Sequence, residues 1–484
     1  MRSFATSPGQ PYAVPPDPST VEVVWDPGNE SQQGLWADLS PLHEDSFQDW
    51  TLESVVSGSA YAGSVTSLSR SNYSNASHDD EDSGELSTPE EPRLWLSDLD
   101  HLNPMAVRVA LDTSEALAFT FYTERISRIL PAHDAPDNPY RRLTAIAIHA
   151  PVLLHTVISI ATAFMHNHGG LATYELTATR QARALSSLRQ TLSKALNGKG
   201  ESRLIVTEAI VFAILLQIFY LALTGGMEIE PHFASATYFL RVLGYLPKPP
   251  TGFLGRALVQ RYAMIDVARA IYRRTRPLSE ADFWFYHTGH DLDQTQSSFK
   301  IMTGCPHAVL VFLVQVTNLA ASTLEQPETP ENTAKAIELE ADMHIYRRSQ
   351  PSALNDPLSE AFYWTAHLLL QRRVYLEHPR SRRVQFTRNK IFELVQSMAL
   401  GYGPDSSVFL PLNISGREAM TLSDREWIRT RARDLTHIYG IRTNEHCMKL
   451  MEQIWACVDA GWSDDSTLER ELLEIEAQSQ CFVF

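Results

Sequence analysis

Residues 204–223 read LIVTEAIVFAILLQIFYLAL and form the most apolar stretch of the chain. The stretch is long enough to cross a bilayer, but it contains Glu208 and Gln217, which are costly in hydrocarbon. A helix at the centre of a large helical domain is apolar on all sides in the same way. We therefore predict a core helix and no membrane association. The two polar residues project to opposite sides of the helix, so neighbouring helices must supply their partners.

Helical periodicity extends outward from this stretch over residues 105–484. Apolar residues recur at three- and four-residue spacing, proline and glycine lie between the periodic segments, and no alternating β-branched run intervenes. We predict one large all-α domain over 105–484. The predicted helices are Met105–Leu130, Leu143–His166, Leu171–Leu196, Leu204–Leu223, Pro231–Leu243, Leu254–Arg274, Pro306–Leu324, Leu354–Leu376, Arg383–Leu400, Ser423–Tyr439 and Asn444–Val458.

The first 104 residues differ sharply in composition from this domain. Residues 1–100 hold 18 acidic residues, three basic residues and no lysine, so they carry nearly all of the net charge of −16. The segment is rich in serine and proline, and it cannot bury enough apolar surface to offset the entropy of ordering. We predict that residues 1–104 are a disordered acidic region. The overall acidity also disfavours a wholly basic nucleic-acid-binding protein.

Bulky apolar residues alternate with acids most densely over residues 34–54. This alternation is typical of disordered activation segments, because the acids keep apolar side chains solvated until they insert into a partner's groove. An acidic tail that only increases solubility has a similar composition. The candidate activation motif consists of Trp36, Leu39, Phe47 and Trp50.

The sequence shows no motif for metal, nucleotide or nucleophilic chemistry. Its four cysteines lack zinc-finger spacing, and phosphate-loop, dinucleotide-binding and hydrolase motifs are missing. His166 and His168 end a predicted helix before two glycines, a position that suits a helix cap better than a metal site. His287, His290 and Asp291 form a loop cluster that is more typical of turns than of ligands. We therefore predict no bound metal, no cofactor and no enzymatic activity.

A basic stretch interrupts the otherwise neutral domain between His378 and Lys390, with the sequence HPRSRRVQFTRNK. It fits a nuclear import signal or a patch that contacts phosphate groups. It fits equally a charge cluster at a helix end that pairs with nearby acids. The candidate residues are Arg380, Arg382, Arg383, Arg388 and Lys390.

Several short segments stand in a specific order and spacing over about residues 110–460. The best-matched part is Phe409–Leu412 followed by Ile414–Ala419. The residues that carry the pattern are Pro139, Arg141, Arg142, Gly304, Cys305, Pro306, Gly416, Glu418, Ala419, Asp424, Arg425, Trp427 and Trp455. Together these segments resemble the fungal-specific transcription factor domain, in the subgroup that includes the acriflavine sensitivity control protein.

The motif residues have a structural interpretation that needs no chemistry. Gly304 and Gly416 suit turns or close backbone packing. Asp424 is predicted to cap the helix that follows it. Trp427 and Trp455 offer large apolar faces that pack late helices onto the core. We interpret all of them as residues of the fold.

The resemblance implies an all-α regulatory domain in a nuclear transcriptional regulator. It implies contact with the transcription machinery or with another DNA-bound regulator, and it suggests a small-molecule effector and a homo- or heterodimer. Control of a specialised-metabolite gene cluster follows only by analogy with the family. The alternative is an all-α scaffold or cofactor of a DNA-bound regulator that does not itself activate transcription.

One feature of the family is missing from residues 1–104. Family members commonly carry an N-terminal cluster of six cysteines that binds two zinc ions and contacts DNA, and these residues contain no cysteine. Direct DNA binding therefore does not follow from the resemblance. Either the protein acts through another DNA-bound protein, or a first exon encoding the zinc cluster is missing from the gene model.

Overall fold

The computed structural model describes residues 111–476, except 137, 169, 198–201, 249, 280–298, 327–328, 402 and 461–469. Every regular element in these residues is a helix, which confirms the predicted all-α fold. The helices are α1 (Thr113–Phe121), α2 (Pro139–His149), α3 (Pro151–Asn167), α4 (Tyr174–Asn197), α5 (Ser202–Thr224), α6 (Glu230–Val242), α7 (Phe253–Arg273), α8 (His307–Glu325), α9 (Pro330–Ser349), α10 (Pro357–Arg373), α11 (Arg382–Ser397), α12 (Phe409–Gly416), α13 (Leu422–Tyr439) and α14 (Thr443–Ala460).

Short elements supplement these helices. A π turn at Tyr122–Ile126 and a short helical segment at Ser127–Ile129 extend α1, and 3-10 turns lie at Pro351–Leu354 and Gly403–Ser407. Residues 299–303 and 470–476 are also helical. The predicted acidic region, 1–104, lies outside the described residues, so its disorder and its boundary with the helical domain stay predictions.

Helix α3 is the centre of the N-terminal half of the domain. Its side chains are buried without interruption from Val152 to Met165. It packs against α1, α2, α4 and α5. A helix surrounded on all sides has to be apolar all round, and the sequence VLLHTVISIATAFM satisfies that requirement almost completely.

Helix α5 contains the apolar stretch from which the fold was predicted. Its described residues from Ala209 to Leu223 are almost all buried, and it packs against α3, α4, α6 and α7. Glu208 accepts a hydrogen bond from the hydroxyl of Tyr245, and Oε1 of Gln217 accepts one from Nε2 of Gln181 at 2.8 Å. The predicted core helix is therefore confirmed over these residues, and Tyr245 is the partner of the acid.

In the described part of the chain, α8 is the helix that is long and apolar enough to cross a membrane by length and composition. More than half of its most apolar window is buried, and it packs against α7, α9 and α10. The core helix of a helical domain has the same length and composition.

Helix α10 organises the C-terminal half as α3 organises the N-terminal half. It is buried continuously from Ala361 to Arg373 and contacts α8, α9, α11 and α12. Helix α7 packs against both α5 and α8, and α14 packs against both α5 and α12. These two helices therefore join the two halves into one core.

One predicted helix, Leu143–His166, is wrong in its extent, because the structure has two helices there. Ala150 leaves the helical conformation, with φ −122° and ψ 94°, and Pro151 opens α3. The proline ring disfavours helical backbone at the preceding residue, so the chain bends at this point. Both helices keep their apolar faces on the core.

Two helices, α9 and α12, are absent from the prediction. Helix α9 buries only Ala336, Leu339 and Met343 along its length, so its apolar periodicity is weak. Its start does carry a signal, since Thr329 caps the helix and Pro330 occupies its first turn. Helix α12 has the sequence FLPLNISG. Proline and glycine usually mark turns, so the sequence pattern did not predict a helix there.

The turn Gly304-Cys305-Pro306 leads directly into α8. Gly304 has φ +75°, and a Cβ atom there would lie 2.1 Å from Cδ2 of the fully buried Leu358 in α10. Cys305 is fully buried, and burial raises the pKa of its thiol. Pro306 caps α8 with φ −60°. The turn therefore brings α8 and α10 into close contact, which only glycine at position 304 allows.

Gly304→Ala should lower the free energy of unfolding by about 3 kcal/mol, because it combines left-handed strain with overpacking against Leu358. Gly244 is a matched control, since it also has a positive φ but has no neighbouring atom within 4 Å of where a Cβ would lie. Gly244→Ala should cost only about 1 kcal/mol. Urea denaturation of both variants measures the difference, and equal losses would contradict the steric role of Gly304.

Candidate functional site

The strongest candidate site is a set of buried charges that joins four distant parts of the chain. Arg274 follows α7 and Arg373 is the last residue of α10. Arg417 follows α12, and Glu476 lies at the end of the 470–476 helix. We call these four residues the Glu476 cluster.

The Glu476 carboxylate is the acceptor at the centre of this cluster. It accepts hydrogen bonds from Nε of Arg274 and Nη1 of Arg417, while Nη2 of Arg373 lies 3.5 Å from its Oε1. The four side chains are between 6% and 13% exposed. The Arg417 guanidinium also lies 5.4 Å from the centre of the Tyr272 ring, within cation–π range. The cluster is therefore closed to bulk water on most sides.

Burial and charge act in opposite directions on Glu476. Burial alone would raise the pKa of this carboxyl, but the charges of Arg274, Arg373 and Arg417 outweigh it and hold the pKa below its ordinary value. Burial lowers the pKa of Arg373 to about 9, so its guanidinium remains charged at neutral pH. The arrangement binds a carboxylate, and here the chain itself supplies it, which fixes the 470–476 helix to the domain.

Arg274 reaches this carboxylate from a strained backbone. Its φ is +51°, in the left-handed region, and its N–H donates to the carbonyl of Ala270 at the end of α7. For a residue with a side chain this conformation costs about 1–2 kcal/mol. The ion pair with Glu476 offsets that cost, so the end of α7 and the C-terminal segment depend on each other.

A second buried ion pair adjoins the cluster. Nε of Arg372 lies 3.0 Å from Oε1 of Glu418, and both side chains are almost completely buried. The backbone carbonyl of Glu418 accepts a hydrogen bond of 3.1 Å from Nε2 of Gln385 in α11. The predicted motif residue Glu418 thus ties the turn after α12 to both α10 and α11.

Sequence reasoning did not identify the Glu476 cluster as a site. Arg274 and Glu476 are separated by 202 residues, and no local spacing indicates that they meet. The available signal was indirect: Arg274 and Arg373 end predicted helices or lie close to their ends, and Arg417 lies within the best-matched motif. The three arginines share Glu476 as a partner only because three helices of the domain pack together.

The predicted motif residues of the N-terminal half pack the start of α2. Pro139 occupies its first turn, where the fixed φ of proline suits a helix. Arg141 pairs with Asp134, and the guanidinium of Arg142 lies 4.1 Å from the centre of the Phe253 ring. The Arg142 contact holds α2 against the start of α7, and the Arg141 pair ties α2 to the segment that precedes it.

The glycine and tryptophans of the C-terminal motif meet in one apolar cluster. Nε1 of Trp455 donates to the carbonyl of Gly416 at 2.9 Å, and a Cβ on Gly416 would lie 2.6 Å from Sδ of Met451. Ala419 and Trp455 are buried in the same hydrophobic cluster, and Trp427 packs against it. Here these residues have the packing role that the sequence predicted for them.

The predicted capping role of Asp424 is wrong. Helix α13 begins at Leu422, and Thr421 is its cap, with a hydroxyl that accepts the N–H of Asp424 at 3.1 Å. Asp424 lies inside the first turn because Thr421, with φ −96° and ψ 151°, is the last extended residue. Its carboxylate instead lies 2.7 Å from Nη1 of Arg388, which joins α13 to α11.

Arg425, the next motif residue, is nearly fully buried. Its Nη2 donates to Oδ1 of Asp459 at 2.8 Å, and its Nε donates to the carbonyl of Ala419 at 3.1 Å. Its guanidinium lies 5.2 Å from the centre of the Trp455 ring. Arg425 therefore links α13 to the end of α14 and covers the apolar cluster.

The five candidate residues of the basic stretch have different surroundings. Arg380 and Arg382 are exposed, whereas Arg388 is buried. Arg383 and Lys390 each form ion pairs with glutamates. The five side chains do not share one continuous exposed surface in this structure, and a role in nuclear import or phosphate contact stays a prediction.

Two sets of predicted residues lie outside the described part of the chain. They are the candidate activation motif, Trp36, Leu39, Phe47 and Trp50, and the loop residues His287, His290 and Asp291.

The histidines at the end of α3 bind backbone carbonyls. Nδ1 of His168 lies 2.9 Å from the carbonyl oxygen of Phe164, and Nε2 lies 2.7 Å from that of Ile438. Nδ1 of His166 lies 2.9 Å from the carbonyl oxygen of Ala172. The pair therefore fastens α3 to the end of α13 and to the chain that leads into α4.

Comparison with known proteins adds one finding to this geometry. The model of the fungal specific transcription factor domain matches residues 117–466. No curated protein and no solved structure shows significant similarity to the chain. The match contains every motif residue described above and the three arginines of the Glu476 cluster, whereas Glu476 itself lies beyond its end.

Glu476→Gln should lower the free energy of unfolding by about 3–5 kcal/mol, because it leaves buried guanidinium groups without their carboxylate. In the parent protein this stabilisation is fully present above about pH 5, since the folded pKa lies below the unfolded value near ~4.3, and it is lost as the pH falls further. Urea denaturation between about pH 7 and 3 measures both effects.

Glu474→Gln is the matched control, because Glu474 is exposed on the same short helix. It should change the free energy of unfolding by less than about 0.5 kcal/mol. A Glu476→Gln protein as stable as this control, with an unchanged acid transition, would show that the cluster does not hold the C-terminal segment.

Proposed function

The chain belongs to the family of proteins with a fungal specific transcription factor domain, and on that premise we propose that it is a nuclear regulator of a specialised-metabolite gene cluster. The observation that carries the general role is the extent of the match, which spans α2 to α14 in full. The domain supports a role for the protein as a transcriptional regulator. The target genes are assigned here by analogy with the family.

The helical domain acts in this proposal as the regulatory part of the protein. Its motif residues are packing residues and caps, and its strongest charge cluster closes on a carboxylate of its own chain. Cys305 is fully buried, and the pKa of its thiol is raised by that burial, so it is a poor nucleophile. These observations favour a regulator over an enzyme.

The acidic region 1–104 provides the activating contact in this proposal. Its aromatic residues lie among acids, a pattern that suits insertion into a groove of the transcription machinery. In this proposal another DNA-bound regulator makes the contact with DNA, since residues 1–104 contain no cysteine; a zinc cluster encoded by an exon missing from the gene model is the alternative. A small-molecule effector and a dimer partner would act on the helical domain.

Tethering tests the activating role directly. Residues 1–104 fused to a foreign DNA-binding domain should activate a reporter gene, and Trp36→Ala, Phe47→Ala and Trp50→Ala together should abolish the activation, since they remove the apolar contacts. Deletion of Asp79–Asp82 is the control, because this run contains no aromatic residue. It should retain most of the activity.

The outcomes separate the two functions considered. Full activity of the triple variant would contradict the aromatic motif. An inactive parent segment, expressed at the level of the control, would favour the alternative of a non-activating scaffold that serves a DNA-bound regulator.

A further inference from the structure

Three potential metal ligands meet between α9 and α10, away from the Glu476 cluster. Glu340 and His344 lie on α9, and His367 lies on α10. One ligand atom from each side chain can be chosen so that all three lie within 4.8 Å of one another. Two imidazoles and a carboxylate are a donor set that zinc uses in sites with three protein ligands.

The fold brings these residues together for simple geometric reasons. Glu340 and His344 are four residues apart, so they lie on the same face of α9. Helices α9 and α10 pack against each other, and the rings of His344 and His367 have centroids 5.1 Å apart. Sequence spacing did not indicate this meeting, because α9 was not predicted and His367 lies 23 residues after His344.

His367 provides a second and independent indication of a ligand. It is 1% exposed, and its Nε2 has no hydrogen-bond partner. Tyr363 and Trp364 flank the ring at centroid distances of 4.7 and 5.4 Å. A buried ring nitrogen without a partner is costly, and a metal ion would satisfy it.

Glu340 is held in place by neighbouring side chains. Its Oε2 accepts a hydrogen bond of 3.1 Å from the hydroxyl of Tyr375, and its Oε1 accepts one of 2.5 Å from Nη2 of Arg383. Hydrogen bonds of this kind orient ligating carboxylates in metal sites. They also mean that a metal ion has to compete with Arg383 for the charge of Glu340.

The two arginines that face the site have other acidic partners. Nη1 of Arg383 lies 2.7 Å from Oε1 of Glu377, and Nη2 of Arg347 lies 2.6 Å from Oε1 of Glu360. Arg383 therefore remains paired with the carboxylate of Glu377 when it releases Glu340. The local positive charge lowers metal affinity without preventing binding.

We propose that Glu340, His344 and His367 bind one zinc ion, and that the ion displaces Arg383 from Glu340. Exposed His344 marks the side from which the ion enters and on which a water molecule fills the fourth position. Arg383 is also a member of the basic stretch, so zinc would alter the surroundings of that stretch at the start of α11. The proposal departs from the expectation from sequence that the chain binds no metal, and zinc binding decides between the two.

Zinc titration of the full-length protein, stripped with a chelator, tests the site. Competition with a chromophoric chelator should reveal one ion that is lost, or bound at least about tenfold more weakly, in His344→Asn. His437→Asn is the matched control, because His437 is likewise a histidine on the outer side of a helix. It should bind zinc as the parent does.

His367→Gln is expected to lose the same ion, but it replaces a buried residue and so can unfold the protein. The exposed His344 variant keeps the test valid in that case. Zinc should raise the melting temperature of the parent and of His437→Asn, and it should leave that of His344→Asn unchanged. Identical zinc stoichiometry, affinity and thermal response in His344→Asn and the parent would overturn the site.

The competition with Arg383 has its own test. Arg383→Gln should bind zinc about tenfold more tightly, because Glu340 loses its competing cation. The adjacent Arg382→Gln is the control, since Arg382 is also exposed, and it should bind zinc as the parent does. Unchanged or weaker binding by Arg383→Gln would overturn the proposed displacement.

Discussion

Water does not reach the polar side chains of a helix that is buried on all sides. Such side chains need hydrogen-bond partners within the protein, and the rest of the structure depends on that requirement. Gln217 in α5 therefore binds Gln181 in α4, and Glu208 binds Tyr245 beyond α6. Glu476, whose own side chain is buried, brings three arginines together. In the described residues, Nε2 of His367 is one of several buried side-chain atoms without a hydrogen-bond partner, and His367 belongs to the proposed zinc site.

The sequence predicted those parts of the fold that local periodicity determines. It located the core helix over 204–223 because that stretch is apolar on every face. It joined α2 to α3, because periodicity continues through Ala150 while the backbone does not. It missed α9, since a helix on the surface of the domain needs few apolar residues.

The sites were beyond the reach of such reasoning. The arginines of the Glu476 cluster and the ligands on α9 and α10 are defined by contacts between helices, and no spacing along the chain encodes those contacts. The packing roles of Gly416 and Trp455 were easier to predict. The steric requirements of a glycine and of a tryptophan are the same whichever residues they contact. The wrong cap prediction for Asp424 shows the limit of prediction from sequence, because a cap can be identified only when the exact first residue of the helix is known.

Glu476 lies beyond the segment that matches the family, and this position has a genetic consequence. A stop codon after codon 466 and before codon 476 would spare the whole segment that matches the family. It would nevertheless strip three buried guanidinium groups of their carboxylate and leave the left-handed Arg274 without the contact that offsets its strain. Nonsense alleles of this kind should therefore behave as destabilised alleles, and the protein they encode should be removed by cellular quality control.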